Sequence, residues 1–211
     1  MHLPPTFKRL VSAPLSLLTL GVALLCALLN FWGDALLMRL AAGLPPLWQR
    51  LWRGVAVLGE PLLMLAIAAA ALVVLFALRS RLTAARRDSL RLFGWSLPAN
   101  WIVTEWLQFL FARHTPQGLL DGDAYGYTFL DTMPGVDSFP AASASGAAAL
   151  ALLVATTWPR LTRLALGYAT VVGLGLFFAL RHYPADVLGG ALIGVLVVSG
   201  IRGLQYHYAQ D

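Results

Sequence analysis

The sequence is organised around apolar runs that are long enough to cross a bilayer. About 20 consecutive apolar residues form a helix that spans the hydrocarbon core. Six such runs lie at about 15–31, 55–78, 92–112, 143–158, 164–180 and 187–201. Only 12% of the 211 residues are charged and 59% are apolar, whereas soluble domains carry about 25% charged residues. We therefore predict an all-α bundle of six transmembrane helices that forms one integral membrane domain over residues 1–211.

The distribution of basic residues predicts how these helices are oriented. Ten of the 15 Lys and Arg residues lie in the tails and loops on the side of the N-terminus, and five lie on the other side. Cytoplasmic segments carry the excess of Lys and Arg, so we expect both termini to be cytoplasmic. The strongest cytoplasmic marker is the basic cluster that follows the second run, formed by Arg79, Arg81, Arg86, Arg87 and Arg91. We expect residence in a bacterial inner membrane, with the opposite face toward the periplasm or the outside.

The segments around the first run have their own signatures. The run lacks a small-residue cleavage site at its end, so we interpret it as a retained helix rather than a signal peptide. Residues 34–53 mix leucines with polar residues, which is typical of an amphipathic interfacial segment. Trp48 and Trp52 would then lie at headgroup depth. The longest polar stretch, about 113–142, is the predicted outer loop.

Several functions are disfavoured by what the sequence lacks. The basic residues are scattered, which does not favour nucleic-acid binding. No cluster of His and Cys suggests zinc, and Cys26 is the single cysteine, so no intrachain disulfide is expected. The aspartates of the outer loop lack the spacing of a calcium loop; they are Asp121, Asp123, Asp131 and Asp137. We therefore expect no metal and no cofactor.

Two acidic residues near or within the runs have open interpretations. Glu60 either starts the embedded part of the second helix or faces a polar cavity. Glu105 lies within the third run, where ionisable groups usually face the interior of a bundle. It is either neutral beside Gln108 or involved with Arg113, with a purely structural role as the simplest interpretation.

The predicted topology brings three polar segments to the outer face, at 113–116, 138–143 and 181–186. In the last segment, "RHYPADVLGG", His182 and Asp186 are four residues apart at the entrance of a helix. Residues at this spacing meet on one helix face, and a carboxylate that bonds one ring nitrogen raises the basicity of the other. This arrangement suits an imidazole nucleophile. Alternatively, His182 is an interface residue and Asp186 caps the helix.

The stretch "HYPADVLGGALIG" resembles the third signature of the type 2 phosphatidic acid phosphatase (PAP2) family, which includes lipid phosphatases and haloperoxidases. The family's signatures are K-x6-R-P, P-S-G-H and S-R-x5-H-x3-D, spaced through a six-helix membrane bundle. The resemblance covers roughly 92–203, about half of the chain. It implies metal-independent phosphate ester hydrolysis through a phosphohistidine, with His182 and Asp186 as the catalytic pair.

The other family positions are replaced in this sequence. Gln108 and Thr115 stand where the first signature has its lysine and arginine, and Ser143 stands where the second has its histidine, the general acid. The Ser-Arg pair of the third signature aligns with Gly175 and Leu176. A phosphate monoester requires several oriented donors, and losing one costs about 2.7 to 4 kcal/mol of transition-state stabilisation. The resemblance therefore implies a bundle whose catalytic signatures are degenerate.

Three polar residues beside the replaced positions are candidate substitutes. Arg113 and Arg181 are candidate phosphate ligands, and His114 is a candidate proton donor. We thus hypothesise a catalytically impaired pseudo-phosphatase that has a lipid-binding, scaffolding or regulatory role. The alternatives are an active, divergent phosphatase for a lipid phosphate or polyprenyl diphosphate, and a small lipid transporter or flippase subunit. Membrane lipids, in particular an anionic or phosphorylated lipid, and a membrane protein are the expected partners.

Overall fold

The computed structural model describes residues 13–122 and 124–208, and side chains within 15–122 and 124–206. Three residues used in the predictions above lie outside the described residues. They are Lys8 and Arg9, which are among the ten basic residues counted on the side of the N-terminus, and Asp123 of the predicted outer loop. Within the described part, all elements of regular structure are helices, and no strand is present, only an isolated bridge between Arg113 and Tyr127. The predicted all-α class is confirmed.

The N-terminal third differs in detail from the prediction. Helix α1 (Ala13–Leu28) continues through a π-helical turn (Leu29–Gly33) directly into α2 (Asp34–Ala42), and α3 spans Pro46–Ala56. The predicted amphipathic segment 34–53 is therefore two helices, because Pro45-Pro46 interrupts the backbone hydrogen bonding between them. The first of these is a continuation of α1.

The remaining helices carry the candidate site residues between them. They are α4 (Pro61–Ala77), α5 (Ala84–Phe111), the short α6 (Pro116–Gly122), α7 (Ala142–Thr157), α8 (Thr162–Phe178) and α9 (Pro184–Tyr208). Four helices, α3, α4, α6 and α9, begin at a proline, whose fixed φ and missing N–H suit the first helical position. The predicted outer loop thus contains a helix of its own, α6.

Four stretches are long and apolar enough to cross a membrane: Leu15–Ala42, Pro46–Ala77, Pro159–Phe178 and Pro184–Tyr206. Helix α7 is apolar but shorter. Many large apolar side chains point outward, as lipid-facing residues do; examples are Leu17, Leu62, Phe76, Trp106 and Leu164. The protein is an integral membrane protein.

Helix α7 is the centre of the bundle, packed between α5, α8 and α9. Its small residues let the neighbouring backbones approach closely, as packing in lipid requires. A Cβ atom placed on Gly194 of α9 would lie 2.2 Å from the carbonyl oxygen of Ser145 on α7. Ser145 also donates a hydrogen bond of 2.8 Å to the Asn100 side chain of α5. These contacts fix α5, α7 and α9 relative to one another.

Candidate functional site

Two residues in the left-handed backbone conformation direct the chain from the ends of α5 and α8 toward the candidate site. Ala112 (φ 43°) ends α5 immediately before Arg113, and Leu180 (φ 59°) follows α8 immediately before Arg181. After α8, the amide of Arg181 donates to the carbonyl of Leu176 and that of Leu180 to Phe177, both at 3.0 Å. This pattern is a Schellman motif, which closes a helix and reverses the chain direction. Arg181 and His182 therefore lie in the tight connection between α8 and α9.

Arg113 forms a buried ion cluster with two carboxylates. Its Nη2 lies 2.7 Å from Oδ2 of Asp34, and its Nη1 forms an ion pair with Oδ1 of Asp186. All three side chains have 0% exposure. Three tyrosine rings enclose the guanidinium, with the Tyr183 centroid 4.3 Å and the Tyr127 centroid 5.4 Å from Cζ, distances typical of cation–π contacts. The third ring is that of Tyr125, whose hydroxyl accepts a hydrogen bond from Nη2 at 3.1 Å.

Donors from the start of α9 complete the cluster. The amide of Ala185 donates to Asp34 Oδ1 at 3.1 Å, and the amide of Tyr183 donates to Asp186 Oδ2 at 3.0 Å. Two carboxylates against one guanidinium leave one excess negative charge, and the N-terminus of a helix carries about half a positive charge that offsets it in part. Burial opposes the Arg113 charge, but the carboxylates of Asp186 and Asp34 outweigh burial and raise the pKa of the guanidinium. Arg113 is therefore permanently charged, and both of its terminal nitrogens are paired, whereas its buried Nε has no hydrogen-bond partner among the described residues.

His182 is held by a backbone carbonyl rather than by Asp186. Its Nδ1 lies 2.9 Å from the carbonyl oxygen of Ser138. A carbonyl only accepts, so Nδ1 carries the proton and Nε2 has the free lone pair. Ser138 connects the two residues indirectly, because its hydroxyl donates to Asp186 Oδ2 at 2.5 Å. Asp186 also accepts the Tyr183 amide at the start of α9, as expected if this aspartate caps the helix. His182 and Asp186 are therefore connected through Ser138 and not by a direct hydrogen bond.

The environment of His182 keeps the imidazole neutral. Its side chain is partly buried, and burial lowers the pKa of His182 to about 4. The hydrogen bond to Ser138 and the carboxylates of Asp137 and Glu60 act in the opposite direction, while Arg181 reinforces the decrease. A neutral imidazole with Nδ1 protonated has the form that a nucleophilic histidine needs.

Gln108 contacts the same loop as His182. Its Nε2 donates to the carbonyl oxygens of Asp137 at 2.9 Å and of Pro140 at 3.0 Å. Thr115 lies on the other side of the ion cluster, where its carbonyl accepts from the Tyr183 hydroxyl at 3.3 Å. The structure thus gathers Gln108 and His182 around residues 137–140, and it joins Thr115 to this region through Tyr183.

The remaining predicted residues have distinct positions. Ser143 is buried at the start of α7, with its carbonyl close to Gly59. Arg181 forms a partly exposed ion pair with Glu60. The amide of His114 donates to the carbonyl of Gly126 at 3.0 Å, and this hydrogen bond joins two backbone segments of the predicted outer loop. Glu105 is exposed and accepts a 3.1 Å hydrogen bond from the Trp101 indole, which corrects its expected location beside Gln108 in the interior.

Sequence reasoning missed two residues that organise the site. Asp34 lies at the end of an apolar run, and an ionisable residue in a membrane segment is itself a signal of a polar interior. Ser138 gave no such signal, because a serine in a polar loop is ordinary. Its bridging role depends on both its hydroxyl and its carbonyl.

The fold and this site define an integral membrane protein, a helical bundle with a histidine at one end. Residues 89–208 match the family model of the PAP2 superfamily. The match spans more than half of the chain, and the chain belongs to the PAP2 superfamily. The resemblance seen in the sequence is thereby confirmed.

A solved structure agrees with this assignment. The chain is similar to the first transmembrane PAP2 type phosphatidylglycerolphosphate phosphatase from Bacillus subtilis, with a TM-score of 0.59 and 20% identity. The similarity covers 92% of this chain and 96% of that chain. At this level of identity the likeness establishes a shared fold. A search of curated proteins gives no significant match.

Proposed function

We propose that this protein is a catalytically impaired PAP2 member that binds a phosphorylated lipid around His182. The proposal includes six membrane spans, cytoplasmic termini and a site on the periplasmic or outer face of a bacterial inner membrane. One observation carries the impairment: Arg113, the expected substitute phosphate ligand, has both terminal nitrogens engaged by buried carboxylates. Binding, scaffolding or regulation then replaces turnover as the role.

The other donors do not make up the deficit. Gln108 already donates both of its side-chain hydrogen bonds to the 137–140 loop. Ser143 supplies no proton at neutral pH, and general acid catalysis is worth about 10²- to 10⁴-fold in rate. Arg181 remains as the cation next to His182, although it is paired with Glu60. A transition state with nearly two negative charges would therefore be poorly stabilised.

The test measures both binding and turnover on the purified protein. Native mass spectrometry after gentle detergent exchange should retain an anionic lipid, and the bound lipid should be lost in Arg181→Gln. Phosphate release from phosphatidic acid, phosphatidylglycerolphosphate and an undecaprenyl diphosphate should remain at the level of His182→Ala. Release well above that level by the wild-type chain would overturn the proposed impairment. Recovery of a lipid-free protein under all conditions would overturn lipid binding.

The second candidate function is an active, divergent phosphatase, favoured by the state of His182. The neutral ring with Nε2 free is ready for attack on phosphorus, and its low pKa keeps it neutral through the range of about pH 5 to 8. If this second function is correct, the protein releases phosphate without added metal. The rate of release should not fall through protonation of His182 as the pH is lowered within that range. Release should be abolished in both His182→Ala and His182→Asn, because Asn keeps the bond to Ser138 but supplies no nucleophile.

A further inference from the structure

The ion pair between Glu60 and Arg181 joins two connections that are far apart in sequence. Glu60 directly precedes α4, and Arg181 is the last residue of the Schellman motif that ends α8. The Nη1 of Arg181 bonds Oε1 of Glu60, and the two side chains are 40% and 33% exposed. This pair therefore differs from the fully buried Arg113 cluster in being accessible from outside the bundle.

The position of Glu60 places its carboxylate at the edge of the candidate site. The preceding residue, Gly59, lies against the start of α7, since a Cβ atom on Gly59 would be 2.7 Å from the Ser143 carbonyl oxygen. Ser143 is the position that aligns with the family's general acid. The charges of Arg181, Asp137 and Glu60 all act on His182. Hence one cation and two carboxylates, all at least partly exposed, act electrostatically on His182.

A carboxylate on Arg181 resembles the ligand that the site is built to hold. Carboxylates and phosphates both accept paired hydrogen bonds from a guanidinium. A partly exposed ion pair contributes little to stability, and a dianionic phosphate therefore displaces it at a small cost. In addition, an anion that approaches His182 meets the repulsion of Glu60 until the carboxylate moves away.

We propose that Glu60 is an internal competitor for Arg181, so that a phosphorylated headgroup binds only by displacing the Glu60 carboxylate. The inference rests on the proposed phosphate-binding role of the site and adds a residue that sets its affinity. It makes Glu60 a determinant of specificity, because a dianionic headgroup replaces the lost pair whereas a zwitterionic or neutral headgroup does not. Arg181 is then a binding residue that is masked in the unliganded protein.

The experiment is a double-mutant cycle on binding, with Glu60→Gln, Arg181→Gln and the double variant. Dioctanoyl phosphatidic acid is titrated into each purified protein by isothermal calorimetry at low and high salt, with dioctanoylglycerol as the neutral probe. Glu60→Gln should bind phosphatidic acid about fivefold more tightly than the wild type. The gain should shrink at high salt, and it should be absent in the Arg181→Gln background and for the neutral probe.

Asp88→Asn is the matched control, because it removes an exposed carboxylate from the Arg91–Asp88 pair, which lies at the end of α5 opposite to Arg113. Its affinity should equal that of the wild type, and all variants should share one elution profile in size-exclusion chromatography. Equal or weaker binding by Glu60→Gln, with the wild type binding normally, overturns the inference and leaves the proposed function intact. A gain that persists without Arg181 also overturns it. Failure of every variant to bind phosphatidic acid overturns the proposed function together with the inference.

Discussion

At the scale of single residues, Arg113 has two structural roles in the ion cluster. It neutralises two carboxylates from opposite ends of the chain, Asp34 and Asp186, and it holds the tyrosine rings in place around them. Burying an ion costs several kcal/mol, and such a cluster persists only when nearly every donor and acceptor is paired. The same pairing that stabilises the cluster occupies both terminal nitrogens of Arg113.

Arg113→Gln should destabilise the protein strongly, because it leaves two buried carboxylates without their cation. Breaking a buried pair costs about 3–5 kcal/mol, whereas an exposed pair is worth about 0–1 kcal/mol. Arg91→Gln, which breaks the exposed pair with Asp88, is the matched control. Unfolding of both variants in detergent, followed by tryptophan fluorescence, gives the comparison. Equal losses in the two variants would show that the cluster does not stabilise the fold, whereas failure of Arg113→Gln alone to fold would agree with the prediction.

At the scale of elements, the crossing of α7 and α9 places the loop residues of the site. A Cβ atom placed on Gly190 would lie only 2.4 Å from the carbonyl oxygen of Ala141. Gly194, one turn later, approaches the backbone of α7 equally closely. This Gly-x3-Gly spacing lets two helices touch backbone to backbone in lipid. The start of α9, which carries Asp186, is thereby held against the 138–141 segment.

Gly194→Ala should separate α7 from α9, because the neighbouring atoms at the new methyl group belong to backbone. Overpacking of this kind costs about 1–3 kcal/mol. Gly200→Ala lies on the same helix with no atom within 4 Å, and it should be neutral or slightly stabilising, since Ala is the better helix former. Thermal unfolding midpoints of the two variants provide the measurement. A midpoint for Gly194→Ala at or above that of Gly200→Ala would contradict the proposed close contact.

At the scale of the whole molecule, the described helices form a bundle whose outer surface is largely apolar and whose polar contacts gather near one end. The ion cluster ties α1–α2, the outer loop and α9 together at that end. Helix α5 enters with a basic N-terminal turn and leaves at Arg113. The basic cluster and the candidate site are therefore at opposite ends of α5.

Labelling of single cysteines in intact bacterial cells tests the proposed orientation. In a Cys26→Ala background, Gln117→Cys on α6 should react with a membrane-impermeant maleimide. Arg86→Cys, at the start of α5, should react only after the cells are permeabilised, because the positive-inside rule places the basic cluster in the cytoplasm. Both native positions are exposed, which makes their reactivities comparable. The reverse pattern would invert the topology, and labelling of the Cys26→Ala background itself would invalidate the comparison.

Much of the fold was predictable, because apolar runs of bilayer length have few structural options. Helices α7 and α8 lie within two residues of the predicted runs at 143–158 and 164–180, whereas α4 begins six residues after its run starts and α9 ends seven residues beyond its run. The continuation of α1 into α2 was missed, since Asp34 reads as the polar end of a helix when its buried partner is unknown. Helix α6 was missed because seven residues in a Gly- and Pro-rich loop carry too little periodicity to reveal a helix.

The sequence by itself determined the class of the protein: its hydropathy requires a membrane bundle, and the stretch "HYPADVLGGALIG" resembles a signature of the PAP2 superfamily. Only the tertiary structure decided the partners of the charged residues. Arg113 is 79 residues from Asp34 and 73 from Asp186 in the chain, and the local pattern of residues holds no record of such contacts. Hydropathy can be assessed within the residues of one helix, whereas an ion pair between distant residues forms only where the tertiary fold brings several helix ends together. For this reason the histidine was found from sequence, and the engagement of Arg113 and Arg181 by carboxylates was not.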